Sequence, residues 1–242
     1  MLGDLALKAR TEARTLARKL GLLAPLGRLK RSADRLLGRA GYEHAFQDAL
    51  HRAVKPGDIV WDVGANVGLY AREFAREVGA SGVVCAFEPM PACLEQLRRA
   101  CADAPNVRAF GLALGERAAE LPLWTSADPL GSTHSLIEHH HHESAAPLTV
   151  KVLPGDELIA RGEAPAPNVL KIDVEGFEED VIKGLGGALA RPECRAVLIE
   201  VHFAILEERG ERHAPARMQR FLRERGFHVE WTDASHLAAR RR

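Results

Sequence analysis

Five acidic or imidazole side chains stand where an α/β chain does its chemistry, just past apolar runs: Asp62, Glu88, Asp173, Glu175 and His202. Asp62 closes the run Asp58-Ile-Val-Trp-Asp62 and leads into Val63-Gly-Ala-Asn-Val-Gly68. Gly64 and Gly68 carry no side chain, so a turn built on them lets backbone N–H groups approach a ligand closely. Glu88 follows the second run, Val83-Val-Cys-Ala-Phe87. It lies about 20 residues beyond the glycine turn, the spacing at which a strand-end carboxylate binds ribose hydroxyls. Asp173 and Glu175 follow Leu170-Lys-Ile, and His202 follows Arg195-Ala-Val-Leu-Ile-Glu-Val201. Strand ends of this kind share one rim in an open α/β sheet. A hydroxyl is a poor nucleophile until its proton is removed, so Asp173 and His202 are candidate bases, and Glu175 a candidate partner of a substrate hydroxyl.

The turn also says which nucleoside it suits. A dinucleotide site wants Gly-x-Gly-x-x-Gly around a pyrophosphate. Here Asn66 stands at the second glycine position, and the Asp62 carboxylate would repel phosphate but attract an amino group. S-adenosylmethionine carries an ammonium, a sulfonium and a ribose, and no phosphate. It is therefore favoured over NAD, and an NAD-dependent oxidoreductase is the alternative. A non-catalytic docking module keeping a vestigial cofactor fold is a third reading. By position, the segment after the third strand, including Leu114 and Glu116, is expected to meet the adenine, with Pro89 packing on the ring. Asp173, Glu175 and His202 could ligate Mg²⁺, but no spacing demands it, so no metal is assigned.

The elements that position these residues alternate. Helices are expected after Gly68 to about Val78, after Pro91 to about Ala102, from about Gly176 towards Ile182, and from Ala214 to Glu224. Strands are expected at Val107-Arg-Ala-Phe110, Asn168-Val-Leu-Lys-Ile-Asp173 and Phe227 to Trp231. That rhythm argues a parallel sheet with helices on both faces. It fails between about Ala118 and Leu153. There two alternating stretches, Glu120-Leu-Pro-Leu-Trp124 and Leu148-Thr-Val-Lys-Val152, flank a polar segment. Residues 126–147, with His134 and the run His139, His140, His141, His142, read as a lid or substrate loop. Residues 1–40 read as a basic helical extension, and residues 41–242 as the catalytic domain. The extension offers a dimer contact or a peripheral contact with an anionic membrane.

Lys and Arg total 33, as do Asp and Glu, so nothing suggests a nucleic-acid binder. Four cysteines without Cys-x-x-Cys spacing, no transmembrane run and no signal-peptide core point to the cytoplasm.

Taken together, Asp62-Val-Gly-Ala-Asn-Val-Gly68, Phe87-Glu-Pro89, Leu170-Lys-Ile-Asp-Val-Glu-Gly176 and Glu200-Val-His202 resemble the FkbM family of S-adenosylmethionine-dependent methyltransferases. The resemblance covers roughly residues 55–231. It implies the doubly wound, mostly parallel seven-stranded sheet of class I methyltransferases. It also implies O-methylation of a hydroxyl on a sugar, a glycan or a polyketide-like small molecule.

Overall fold

The computed structural model describes residues 40–125, 134–135 and 148–241. The basic extension up to residue 39, the expected lid apart from a two-residue strand, and the run His139 to His142 lie outside them. The chain divides between Ala45 and Phe46 into two units, and the architecture below is that of the second.

After helix α1 (Ala40–Ala53), the chain alternates β1 (Ile59–Val63), α2 (Leu69–Val78), β2 (Val83–Phe87), α3 (Pro91–Ala100) and β3 (Val107–Phe110). Short strands β4 (Ala113–Leu114), β5 (Ala119–Thr125), β6 (His134–Ser135) and β7 (Leu148–Leu153) come next. Then follow α4 (Gly155–Ala160), β8 (Val169–Ile172), α5 (Glu178–Lys183), α6 (Gly186–Ala190) and β9 (Ala196–Glu200). The chain closes with α7 (Phe203–Glu208), α8 (Ala214–Glu224), β10 (His228–Trp231) and β11 (His236–Arg240).

Seven strands make the main sheet in the order β10-β11-β9-β8-β1-β2-β3. All run parallel except β11, which is antiparallel to both β9 and β10. The order reverses at β1: one half winds outwards through β2 and β3, the other through β8 and β9. Ligands of open α/β sheets bind at such a switch, outside the carboxyl ends of the strands. Strand β11 was not expected from sequence. His236-Leu-Ala-Ala-Arg240 holds two alanines and charged ends, a weak strand signal. The gap between β9 and β10 recruits it, burying Leu237, Ala238 and Ala239.

Alternation along each strand gives the sheet two apolar faces. Trp61, Val63, Phe87, Leu170 and Ile172 pack on the side of α4, α5, α6 and α8. Val60, Val84, Ala86, Val169 and Leu198 pack beneath α1, α2 and α3. Helix α2 fits its face because Ala71, Phe74, Ala75 and Val78 recur at helical spacing and are all buried. The stretch between β3 and α4 forms a separate four-stranded sheet, β4-β7-β5-β6. There Leu121 pairs with Val150 in the antiparallel β5–β7 ladder, as the alternating sequence anticipated.

Candidate active site

A cleft opens at the carboxyl ends of β1, β2 and β8. Its walls fall into three parts. Gly64 and Asn66 belong to the turn after β1; Glu88 and Pro89 follow β2; Asp173, Glu175 and Phe177 follow β8. Phe87, Leu114 and Leu123 contribute to the apolar lining.

The glycine turn is organised differently from the sequence reading. Gly64 and Ala65 both donate their N–H to the Phe87 carbonyl at 3.0 Å, and Gly68 donates to Ala65. The Asn66 N–H goes to Glu88 Oε2 at 2.8 Å. These donors are thus engaged within the protein rather than turned to a ligand. The glycines are needed for chain crossing. A Cβ on Gly64 (φ +78) would lie 1.8 Å from the Asp173 carbonyl oxygen, and one on Gly68 would meet Leu97 at 3.1 Å. Gly68 does not line the cleft; it sits at the start of α2 in the left-handed region.

Asp62 is also corrected. It is fully buried on the α2 face of the sheet and is not part of the cleft wall. Its partner is Lys171, whose Nζ lies 3.2 Å from Asp62 Oδ1 and 3.5 Å from Asp173 Oδ2 and donates to the Gly64 carbonyl at 3.0 Å. Burial disfavours the ammonium, but the Asp62 and Asp173 carboxylates outweigh it and hold Lys171 above its ordinary value. Burial raises the Asp62 carboxyl in turn, with Lys171 opposing. Asp62 acts from behind, clamping the turn to β8. Lys171 was missed as a site residue, although a lysine inside the apolar run Val169–Ile172 is itself a signal of a buried counter-ion.

Glu88 is where it was expected. It lines the cleft and is only 5% exposed, and Oε1 accepts the Met90 N–H at 2.8 Å while Oε2 accepts that of Asn66. Burial raises its carboxyl, and the two backbone donors pull it back. A carboxylate pinned in this way keeps free lone pairs towards the cleft, the arrangement that accepts ribose hydroxyls. Pro89 and Leu114 line the same wall, but Glu116 does not. It sits on the surface, 3.9 Å from Lys183, because the chain after β4 has already turned away from the cleft. Phe87, Leu123 and Phe177 were not singled out. Which face Phe87 presents depends on sheet handedness, and Leu123 arrives from β5, far along the chain.

Asp173, Glu175 and His202 do converge. His202 Nε2 lies 3.3 Å from Glu175 Oε2 and 3.7 Å from Asp173 Oδ1. Nδ1 lies 2.8 Å from Oε1 of Glu178, which is fully buried and also accepts the Gly176 N–H at 2.9 Å. Glu200 Oε1 stands 4.0 Å from Nε2. Burial opposes the imidazolium, but Glu178, Glu175 and Asp173 prevail and raise His202 to about 9. That direction runs against the expectation of His202 as a base at neutral pH. Glu175 is held at φ +51, in the left-handed region, followed by Gly176 at φ +93. Its carboxyl is raised, chiefly by burial, with His202 opposing.

Three carboxylates and no Lys or Arg line the cleft among the described residues. That wall repels a pyrophosphate and accommodates a cationic nucleoside, which removes the ground for a dinucleotide. Together with one reversed strand beside the sheet edge, it defines the architecture of the class I S-adenosylmethionine-dependent methyltransferases.

The sequence profile of the Methyltransferase FkbM domain matches residues 62–229, and the chain belongs to that family. The chain is 32% identical to Hexuronic acid methyltransferase AglP of Haloferax volcanii over 149 residues, 61% of this chain and 57% of that protein. It is 27% identical to AMB antimetabolite synthetase AmbE of Pseudomonas aeruginosa over 199 residues, covering 66% of this chain and 9% of that protein. The chain thus spans just over half of one curated relative and under a tenth of the other. Among solved structures, cofactor-bound Rv0187 from MTB shares the fold at TM-score 0.50 and 12% identity, with 83% of this chain and 79% of that chain covered. No helix among the described residues is long and apolar enough to cross a membrane.

Proposed function

We propose that this chain transfers a methyl group from S-adenosylmethionine to a hydroxyl of a sugar or glycan, with hexuronic acids the first acceptors to test. The observation that carries the reading is the cleft at the β1 switch point, walled by Glu88, Asp173 and Glu175 without a cationic residue. Glu88 takes the ribose hydroxyls. Phe87, Leu114 and Pro89 give the base an apolar bed, and the acidic end near Asp173 suits the ammonium and sulfonium. The bound donor supplies an electrophilic methyl group.

The chain's own work is orientation and proton management. Asp173, Glu175 and His202 surround the place where the acceptor hydroxyl must sit, and alignment of that oxygen accounts for several kcal/mol of barrier reduction. The relative that acts on hexuronic acid supports a sugar acceptor. The four cysteines are buried and lack Cys-x-x-Cys spacing, which supports a reducing compartment such as the cytoplasm.

Two measurements test the reading. Calorimetry should detect S-adenosylhomocysteine binding, and folded protein that binds none at about 1 mM removes the donor. Mass spectrometry of glucuronic- and galacturonic-acid oligosaccharides incubated with donor should show a gain of one methyl group. Methylation of neutral sugars alone would move the acceptor class.

A further inference from the structure

We propose that Asp173, Glu175 and His202 form a binding site for a hard divalent cation, of the Mg²⁺ or Mn²⁺ class, at the acceptor end of the cleft. The proposal rests on the transferase reading and specifies how that site holds an acidic sugar.

Each of the three residues offers one ligand atom, and these atoms lie within 4.8 Å of one another. His202 Nε2 stands 3.3 Å from Glu175 Oε2 and 3.7 Å from Asp173 Oδ1. Octahedral ligands about 2.1 Å from such an ion stand about 3 Å apart when adjacent and about 4.2 Å apart when opposite. Small rotamer adjustments therefore close the observed triangle around an ion. Two carboxylates beside a single imidazole favour a hard cation over a soft one.

A second observation concerns the imidazole. Glu178 stands behind it, fully buried, with Oε1 on Nδ1 at 2.8 Å. Its Oε2 has no hydrogen-bond partner among the described residues. A carboxylate on Nδ1 fixes the tautomer and turns the Nε2 lone pair outwards, here towards Asp173 and Glu175. This carboxylate–histidine arrangement is the one that orients metal-ligating histidines.

The third observation is charge. Lys171, which reaches the cluster, is already shared between Asp62 and Asp173. An acidic sugar brought to this rim would face Asp173, Glu175 and Glu200, with one imidazole, His202, already shared among Asp173, Glu175 and Glu178. A divalent cation offsets that repulsion and bridges the sugar carboxylate to the protein. Asp173 and Glu175 line the cleft, so the remaining coordination positions open to the acceptor. A hydroxyl on such a cation loses its proton to solvent more readily. That oxygen then forms its bond to the methyl carbon as the carbon–sulfur bond breaks, and the electron pair passes to sulfur.

The test uses the full chain carrying His139→Ser, His140→Ser, His141→Ser and His142→Ser, so that the histidine run contributes no binding. After chelator treatment, Mn²⁺ is titrated and followed by electron paramagnetic resonance. One Mn²⁺ should bind per chain and be displaced by Mg²⁺. Glu175→Gln and His202→Gln, folded by circular dichroism, should each weaken it by at least about tenfold. Asp173→Asn should do the same, and Glu175→Gln decides if that variant does not fold. No binding at about 1 mM, or binding indifferent to Glu175→Gln, overturns the proposal. S-adenosylhomocysteine calorimetry on the same samples separates the two readings. Nucleoside binding without a Mn²⁺ site sinks only the cation. Absence of nucleoside binding sinks the transferase reading beneath it.

Discussion

The two ends of the cleft are held by different means. At the nucleoside end, the turn after β1 and Glu88 form a closed set of hydrogen bonds, with Gly64, Ala65 and Asn66 all donating to β2 or its end. At the end after β8, where the proposal puts the acceptor, Asp173, Glu175, Glu178 and Glu200 crowd one imidazole. The first end is rigid because its polar groups are satisfied by backbone at fixed geometry. The second is a concentration of like charge, which makes it responsive to protons, cations and substrate. Lys171 joins them, reaching Gly64 on one side and Asp173 on the other.

The harshest way to break the rigid end is Gly64→Ala. A Cβ 1.8 Å from the Asp173 carbonyl, at φ +78, forces β1 and β8 apart. Destabilisation of about 3 kcal/mol or more is expected in urea unfolding, and a near-native midpoint would show that the strands can give. Lys171→Met comes next. It leaves Asp62 buried without its counter-ion, at an expected cost of about 3–5 kcal/mol, most of which Asp62→Asn in the same chain should restore.

Glu88→Gln keeps shape but not charge. It should weaken S-adenosylhomocysteine binding about tenfold, with the unfolding midpoint little changed. Equal affinity in calorimetry would take the ribose from Glu88.

The acceptor end answers to pH. In metal-free protein, nuclear magnetic resonance should place the His202 midpoint near 9. That folded value lies above the ordinary 6.5. The resulting stabilisation is therefore complete below about pH 6.5 and is lost as pH rises towards 9. A midpoint at or below 6.5 would dissolve the picture of an acidic cage. Smallest of all, Glu116→Ala should leave both affinity and midpoint unaltered, since Glu116 is exposed and outside the cleft wall.

Much of this was legible beforehand, for local reasons. Glu88 was visible because a glycine turn and the next strand end stand at a regular distance in this architecture. Asp173 and Glu175 were visible because a polar stretch follows an apolar strand. Residues whose role depends on a face or on a distant partner were misjudged. Asp62 and Val63 are neighbours, yet only Val63 meets the cleft, because successive strand side chains point to opposite sides. Glu116 was placed by counting past β3, and the short strand β4 turned the chain away first.

From sequence alone came the alternation of strand and helix, the parallel sheet and the acidic strand ends, because periodicity and turn chemistry act over a few residues. Only the tertiary structure decided which of those carboxylates the cleft exposes, where β11 inserts, and which carboxylates gather around the His202 imidazole. Burial and electrostatic fields are sums over elements far apart in the chain, and no short stretch of sequence contains them.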